Sequence, residues 1–289
     1  MSTIFIILPV YNRIAVTSLF IDSLLKQSYK NYFLLLVDDG STDGTSEYVK
    51  SVLPQDKIRI IKGKGKWFWA GALQQGYNYL KNCEHKTTDY VLIINDDCII
   101  ENDFLEIGLN RITNSKEILL AEAYSLKDKE IKGSGIEINW RKLTFTITRD
   151  NERINCLSTR GLLMSVQAFL KIKGFHPLLI PHYLSDYEFT HRAYKKGYTL
   201  KVDPEYYLYY NEETTRNVNI EKKSFSQEIV DRFSKTSPNY IIAWLGFILL
   251  LCPARYKFKH LTKLFFFPLL RLLVLLKKKY IRAEKGFLG

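Results

Sequence analysis

The chain has 289 residues, 46% hydrophobic and 25% charged, enough for one large domain with an appendage and for a sizeable core. Its four cysteines (Cys83, Cys98, Cys156, Cys252) are scattered without a Cys-x-x-Cys spacing, which argues against a zinc site or a disulfide framework and fits a reducing compartment. Of the net charge of +12, the segment Arg255 to Gly289 carries +9, with ten Lys or Arg and one acid, Glu284; such a basic, apolar tail on a near-neutral body points to the anionic face of a membrane rather than to nucleic acid.

Thr3 to Leu8 reads as a buried parallel strand closed by Pro9, since proline cannot continue a central strand. It is too short, and lacks the preceding basic region, for a signal peptide, so no secretion is expected. Ile14 to Leu25 has apolar residues at helical spacing, and Tyr32 to Val37 is a second buried strand. That strand runs into Asp38-Asp39-Gly40-Ser41-Thr42-Asp43-Gly44-Thr45, a turn-rich stretch feeding a helix to about Lys50. Here one carboxylate either accepts a ring N–H of a pyrimidine base or simply forms an Asx-turn. Lys57 to Ile61 is a third strand, Gly63-Lys64-Gly65-Lys66 a basic loop, and Trp67 to Leu80 a helix. The glycines at 63, 65, 71 and 76 do not make a dinucleotide fingerprint, which needs its glycines directly after the first strand. Trp67 and Trp69 suit packing or ligand contact.

Tyr90 to Ile94 is a short apolar strand that ends in Asn95-Asp96-Asp97 before the chain turns apolar again at Cys98. Two adjacent carboxylates at the end of a buried strand repel each other unless a cation sits beside them, and oxygen donors there suit Mg²⁺ or Mn²⁺ sharing substrate phosphates. Otherwise they cap the next element. Strand, loop and helix alternate up to this point, the pattern of a doubly wound sheet whose ligands bind at the carboxyl ends of the strands. A helix follows from Asp103 to about Thr113. An antiparallel pair is expected over Ile131 to Ile138 and Leu143 to Thr148, then a short strand at Arg160 to Met164 and a helix near Val166 to Lys171. Asp186 to Lys196 is a helix with Ser185 as its N-cap. Asp186 and Glu188 in its first turn either gain from the helix dipole or supply a general base. His182 just upstream orients a ligand or caps the loop.

From Asn211 to Ser226 the pattern turns polar and marks a domain edge, giving a domain over 1–220 and a helical, basic and apolar region over 221–289. Thr236 to Ala254 has no charge over 19 residues, just long enough to span a bilayer, although its wholly apolar part is shorter. Its block Tyr240 to Cys252 and a second block, Leu264 to Leu276, leave three readings open: helices lying in the membrane interface, true insertion, or a buried protein–protein surface.

These acidic sites, in this order, resemble those of the family 2 inverting glycosyltransferases of GT-A fold over roughly residues 2 to 211. Ile7-Leu8-Pro9-Val10-Tyr11-Asn12 is similar to the family's opening strand, and Val37 through Thr45 to its nucleotide-binding loop. Asn95-Asp96-Asp97 stands at its D-x-D-type metal motif, and Pro181 to Phe189 with Arg192 and Gly197-Tyr198 at its acceptor-side motif. Lys66-Trp67-Phe68-Trp69-Ala70-Gly71 and Arg160-Gly161 resemble the rhamnosyltransferase-like branch. The resemblance implies an α/β fold of nucleotide-diphospho-sugar transferase type, with a mostly parallel central sheet flanked by helices. It implies a UDP- or dTDP-linked sugar donor held by Pro9, Tyr11, Asp39, Lys66, Trp69 and Asp96, with Mg²⁺ or Mn²⁺ on Asp97 and Asp96. It further implies Asp186 as catalytic base, and Arg160, His182, Tyr183 and Glu188 on the acceptor or sugar side. Transfer to a lipid-linked glycan at the inner membrane face, in surface polysaccharide synthesis, is the expected setting. The chain departs from the family in having Asn95 for the first acid, and Tyr209-Tyr210-Asn211-Glu212 where many members place a metal-ligating His. A nucleotidyltransferase would need a glycine-rich loop after the first strand, which Pro9 to Arg13 lacks. A catalytically silent scaffold held at a membrane is the other alternative.

Overall fold

The structure, a computed structural model, describes residues 1–212 and 225–266. The expected tail beyond 266 and most of the polar stretch after Asn211 lie outside the described residues.

The first half alternates as expected: β1 (Ile4–Val10), α1 (Ile14–Leu25), β2 (Tyr32–Asp38), α2 (Thr45–Val52), β3 (Ile58–Lys62), α3 (Phe68–Asn82) and β4 (Tyr90–Ile93). The second half has β5 (Cys98–Ile99), α4 (Phe104–Arg111), β6 (Glu117–Ser125), β7 (Ile131–Gly133), β8 (Gly135–Asn139), β9 (Thr144–Thr148), β10 (Leu162–Ser165), α5 (Val166–Ile172), α6 (Ser185–Lys195) and β11 (Thr199–Tyr210). After these come α7 (Phe225–Phe233) and α8 (Ile241–Leu251), and residues 254–266 are helical. The central sheet runs β3-β2-β1-β4-β10-β6-β11-β5, with β7 also on β6. β1, β2, β3, β4, β6 and β11 point one way and β5, β7 and β10 the other, so the sheet is mostly parallel. This is the GT-A architecture.

The unbroken apolar strands are explained by burial on both faces. Ile4, Ile6, Leu8 and Val10 face one core with Phe20 and Leu24 of α1 and Phe104 of α4. The alternate residues Phe5 and Ile7 face a second core with Leu73 of α3 and Phe169 of α5. Helix α3 approaches β1 so closely that a Cβ on Gly76 would lie 2.8 Å from Ile7.

Four details differ from the sequence pattern. β1 continues through Pro9 to Val10, because Ile7 already bonds to Ile94 on the β4 side and β4 ends at Ile93. Polar groups two residues apart on a strand point the same way, so the missing N–H of Pro9 falls where no partner strand remains. The expected strand over Ile131 to Ile138 is split at Ser134 between β7 and the β8–β9 hairpin. Ser185 is not the N-cap of α6: Leu184 takes that place at φ +71, and the Ser185 hydroxyl donates to the His182 carbonyl (2.6 Å). Neither β6 nor β11 shows in the sequence pattern. β6 has a fully buried acid, Glu122, forked at 2.7 and 3.0 Å by Arg149, the residue just after the hairpin. β11 has Pro204 at an irregularity between Asp203 and Tyr207.

A third cluster joins the hairpin, the turn before α6 and α8, with Ile136, Ile138, Ile180, Leu184, Ala243 and Phe247 buried together. Trp140 is its hub. Its ring stacks on Phe247 (5.6 Å) and its indole N–H donates to His191 Nε2 (3.2 Å), while its carbonyl is 2.6 Å from His260 Nε2. The first apolar block of the tail is therefore packed on the body along one face. Among the described residues no helix is long and apolar enough to cross a membrane. α8 has 11 residues and rises about 16 Å at 1.5 Å per residue, roughly half the hydrocarbon thickness of a bilayer.

Candidate active site

The loops after β1, β2 and β4 leave the same edge of the sheet, the edge where open α/β sheets bind ligands. The two Asp-Asp pairs of the sequence both lie there, and their surroundings differ. Asp38 Oδ1 accepts from the backbone N–H of Gly40 (3.1 Å) and Ser41 (2.7 Å), and its other oxygen accepts from the Ser46 hydroxyl. Asp38 thus shapes its own turn, in which Gly40 sits at φ +92. Asp39 accepts from Gly65 N (2.9 Å), Lys66 N (3.2 Å) and Trp67 N (2.8 Å), and so pins the basic loop to the strand end. A carboxylate has about four lone-pair sites, so little of Asp39 is left for a ligand.

Asp96 and Asp97 are also buried, but they face side chains. Arg13 Nη1 is 3.3 Å from Asp96 and its Nη2 is 3.9 Å from Asp97. The Thr17 hydroxyl donates to Asp96 (2.9 Å). Burial pushes the Asp96 carboxyl up to about 6; Arg13 and Thr17 oppose that rise and the Asp97 charge adds to it. On the other side Arg160 Nη2 lies 3.5 Å from Asp97, with the guanidinium over the Tyr210 ring at 4.2 Å. The segment expected to offer a histidine does reach this place, since Asn211 N donates to the Asp97 carbonyl (3.1 Å). Its Tyr210 ring underlies the Arg160 guanidinium. Among the described residues no group of three His, Cys, Asp or Glu is placed to hold a metal ion.

Beside Arg160 opens a cavity of about 210 Å³ lined by Trp69, Asn95, Thr159 and Asp186. The Trp69 indole N–H donates to Thr159 Oγ1 (3.2 Å), fixing one wall. Ala121, Ala123 and Gly133 line it too, and small side chains there keep the space open. Asp186 enters from the first turn of α6, where its Oδ1 accepts from Tyr187 N (2.9 Å). Burial pushes its carboxyl up to about 6, against the pull of the Tyr187 N–H, its own backbone N–H and the Arg160 charge.

The structure thus brings together Trp69, Asp96, Asp97, Arg160 and Asp186. Tyr11 is exposed beside Gly65, Lys66 is exposed on the loop held by Asp39, and Pro9 is buried within β1. His182 and Tyr183 occupy the turn before α6, edge to face at 4.9 Å, outside the cavity lining. Glu188 is not brought to the cavity. It is buried on α6, with Arg192 forked on it at 2.8 and 2.9 Å and His176 at 3.8 Å. Arg192 also donates to the carbonyls of Ile172 and Gly174, so this is a structural ion pair. Arg13, Thr17 and Tyr210 belong to the site without having been singled out. Arg13 stands at the end of the first strand's loop, the one signal that marked it.

A family model described as Glycosyl transferase family 2 matches residues 5–169. The chain belongs to glycosyl transferase family 2. A Haemophilus influenzae protein named "Uncharacterized glycosyltransferase" is 34% identical over 132 residues, 45% of this chain and 50% of that protein. The chain spans about half the length, or less, of the curated relatives it matches first. Among solved structures, Staphylococcus aureus TarS 1-349 in complex with UDP-GlcNAc is similar with a TM-score of 0.59 at 17% identity, covering 89% of this chain and 83% of TarS 1-349. The mannosyltransferase PcManGT from Pyrobaculum calidifontis, in complex with GDP-Man and Mn2+, gives 0.55 at 14% identity, covering 90% and 69%. At these identities the solved structures show the shared fold.

Proposed function

We propose that this family 2 member is an inverting glycosyltransferase of the rhamnosyltransferase-like branch, moving a sugar from a UDP- or dTDP-linked donor to a hydroxyl of a lipid-linked glycan. The observation that carries this is the half-buried Asp186 carboxyl. It shares one cavity with Arg160, which in turn touches Asp97 of the strand-end pair. A base with a pKa near 6 is largely ionised at neutral pH yet basic enough to take a proton in the transition state.

Asp186 removes the acceptor hydroxyl proton as that oxygen bonds to the anomeric carbon, while the bond from that carbon to the diphosphate oxygen breaks. Base and leaving group stand on opposite sides of the reacting carbon, so configuration inverts. Arg160 and Arg13 bring two permanent positive charges to the edge where the departing diphosphate gathers charge. Trp69 and Thr159 fix the wall against which the sugar sits.

Asp97 and Asp96 fit a hard divalent cation, because Mg²⁺-type sites commonly take one or two carboxylates and complete themselves with phosphate oxygens and water. Such an ion, Mg²⁺ or Mn²⁺, would add electrostatic stabilisation of the leaving diphosphate. With no third His, Cys, Asp or Glu placed to hold it among the described residues, its affinity should depend on the nucleotide. The UDP or dTDP preference is supported by Asp39, whose one remaining acceptor site suits a pyrimidine imide. Residues 1–220 form the catalytic domain and 221–289 a membrane-associating region whose α8 is seated on that domain. The basic, apolar tail supports a peripheral position at the inner membrane face, with surface polysaccharide as the product.

The test is sugar transfer by Asp186→Asn. Transfer should fall by at least about a hundredfold, the usual worth of a general base. Undiminished transfer with a competent donor would remove Asp186 from the mechanism and the inverting reading with it.

A further inference from the structure

The turn before α6 carries two leucines that no catalytic role explains. Leu178 is 93% exposed and Leu179 43% exposed. Leu179 lies against α8, where a Cβ on Gly246 would meet its Cβ at 3.3 Å. Residues three or four apart share a helix face, so Ile242, Leu249 and Leu250 lie on the side of α8 that Gly246 turns to Leu179. All three are exposed. Catalytic domain and tail therefore share one apolar surface.

Its rim is positively charged. Lys257 Nζ donates to the Leu249 carbonyl (2.8 Å) and Lys195 Nζ to the Leu251 carbonyl (3.3 Å), which sets two ammonium groups at the end of the leucine stripe. The next helical stretch, 254–266, adds exposed Phe258 and Phe266 among Arg255, Lys259 and Lys263. No Asp or Glu occurs in the sequence between Asp231 and Glu284, and none between Glu152 and Asp186. Exposed leucine and phenylalanine framed by cations match the interface of an anionic bilayer: apolar groups enter the headgroup boundary and lysines meet lipid phosphates.

We infer that Leu178 and Leu179 of the catalytic domain, together with the outer face of α8, form one lipid-docking surface, so that the tail is not the sole anchor. The same turn holds the cavity in place. Pro181 accepts from Ala70 N (2.9 Å), next to the cavity-wall residue Trp69, and the turn leads directly into Asp186. Docking through this turn fixes the cavity relative to the bilayer surface, as a lipid-linked acceptor requires. The purpose rests on the lipid-acceptor reading above; the binding itself does not.

The experiment uses the full chain with phosphatidylcholine vesicles, with and without phosphatidylglycerol, and no sugar donor. Leu178→Asp combined with Leu179→Asp should reduce the vesicle-bound fraction constant by roughly tenfold or more, since each leucine loses its apolar burial. The melting temperature and its shift on adding UDP should stay as in the parent. As a second probe, Leu178→Cys in a Cys83→Ser background is labelled with an environment-sensitive fluorophore, the other cysteines being buried. Its emission should shift to the blue on phosphatidylglycerol vesicles and less at high salt. An unchanged emission, or unchanged binding by the folded double variant, overturns the proposal and leaves the tail as the anchor. A dimer that the double substitution dissociates, with vesicle binding intact, overturns it in favour of a second copy. Neither result bears on the Asp186→Asn assay, so the two readings fail separately.

Discussion

The two Asp-Asp pairs look alike in sequence, each closing an apolar strand, yet the fold surrounds them with different partners. The donors around Asp38 and Asp39 are backbone N–H groups of two loops, together with the Ser46 hydroxyl. Those donors cannot leave without unfolding the loops, so most of the acceptor capacity there goes into shape, with one site of Asp39 left for a ligand. Around Asp96 and Asp97 the donors are mostly long cationic side chains, Arg13 and Arg160. Such partners can be shared with a diphosphate or shifted by a cation, so the charge there remains available for chemistry. The difference comes from what stands opposite each strand end, not from the pairs themselves.

The sharpest way to break this contrast is Asp97→Asn. If the second pair is the chemical one, transfer should fall by about three orders of magnitude, several kcal/mol of lost charge stabilisation. The melting temperature should hold, because removing one of two adjacent buried carboxylates relieves repulsion. Transfer within tenfold of the parent would reverse the assignment.

The next largest effect is in pH. Burial raises Asp186 to about 6, above the usual carboxylate range. A general base must be unprotonated, so kcat/KM should drop tenfold per unit as pH falls below about 6. Stability runs the other way. The folded carboxyl binds a proton more tightly than the unfolded one, so its stabilising effect is present at pH 4 and lost as pH rises toward 6 and beyond. Asp186→Asn removes that loss and should stabilise the protein at pH 8 by on the order of 3 kcal/mol. Thermal melts at pH 4.5 and pH 8 check it. A variant destabilised equally at both would contradict the burial of a costly charge.

Asp38→Ala gives the complementary result. It strands two loop N–H groups and the Ser46 hydroxyl, and should cost on the order of 1–3 kcal/mol in a denaturant titration. At a temperature where the variant stays folded, transfer should change by only a few-fold. A loss matching that of Asp97→Asn would make both pairs catalytic.

Much of this is legible in the sequence. The alternation of buried strands with amphipathic helices placed Asp39, Asp96 and Asp97 at one sheet edge, because a parallel sheet puts every strand end of one direction there. α1 over Ile14–Leu25 follows directly from its apolar spacing. β6 was hidden by Glu122, whose partner Arg149 lies just after the hairpin, and β11 by Pro204 at its bulge. Glu188 resembled a site acid because it shares the first turn with Asp186. Residues two apart on a helix face different ways, and Arg192, one turn on, claims Glu188. Which of two neighbouring acids meets a guanidinium and which meets a cavity is decided by tertiary packing.

The smallest effect tests the cations themselves. Arg13 reaches Asp96 with one nitrogen and Asp97 with another, a span that a planar fork covers and a single ammonium cannot. Arg13→Lys keeps the charge but not the span. If Arg13 serves mainly to hold the pair for the incoming diphosphate, the donor KM should rise by several-fold to about tenfold while kcat changes little, because uniform binding is lost rather than transition-state stabilisation. A fall in kcat at constant KM would instead place Arg13 on the leaving group during bond breaking. Unchanged constants would mean that Arg160, held over Tyr210, suffices to balance the two carboxylates.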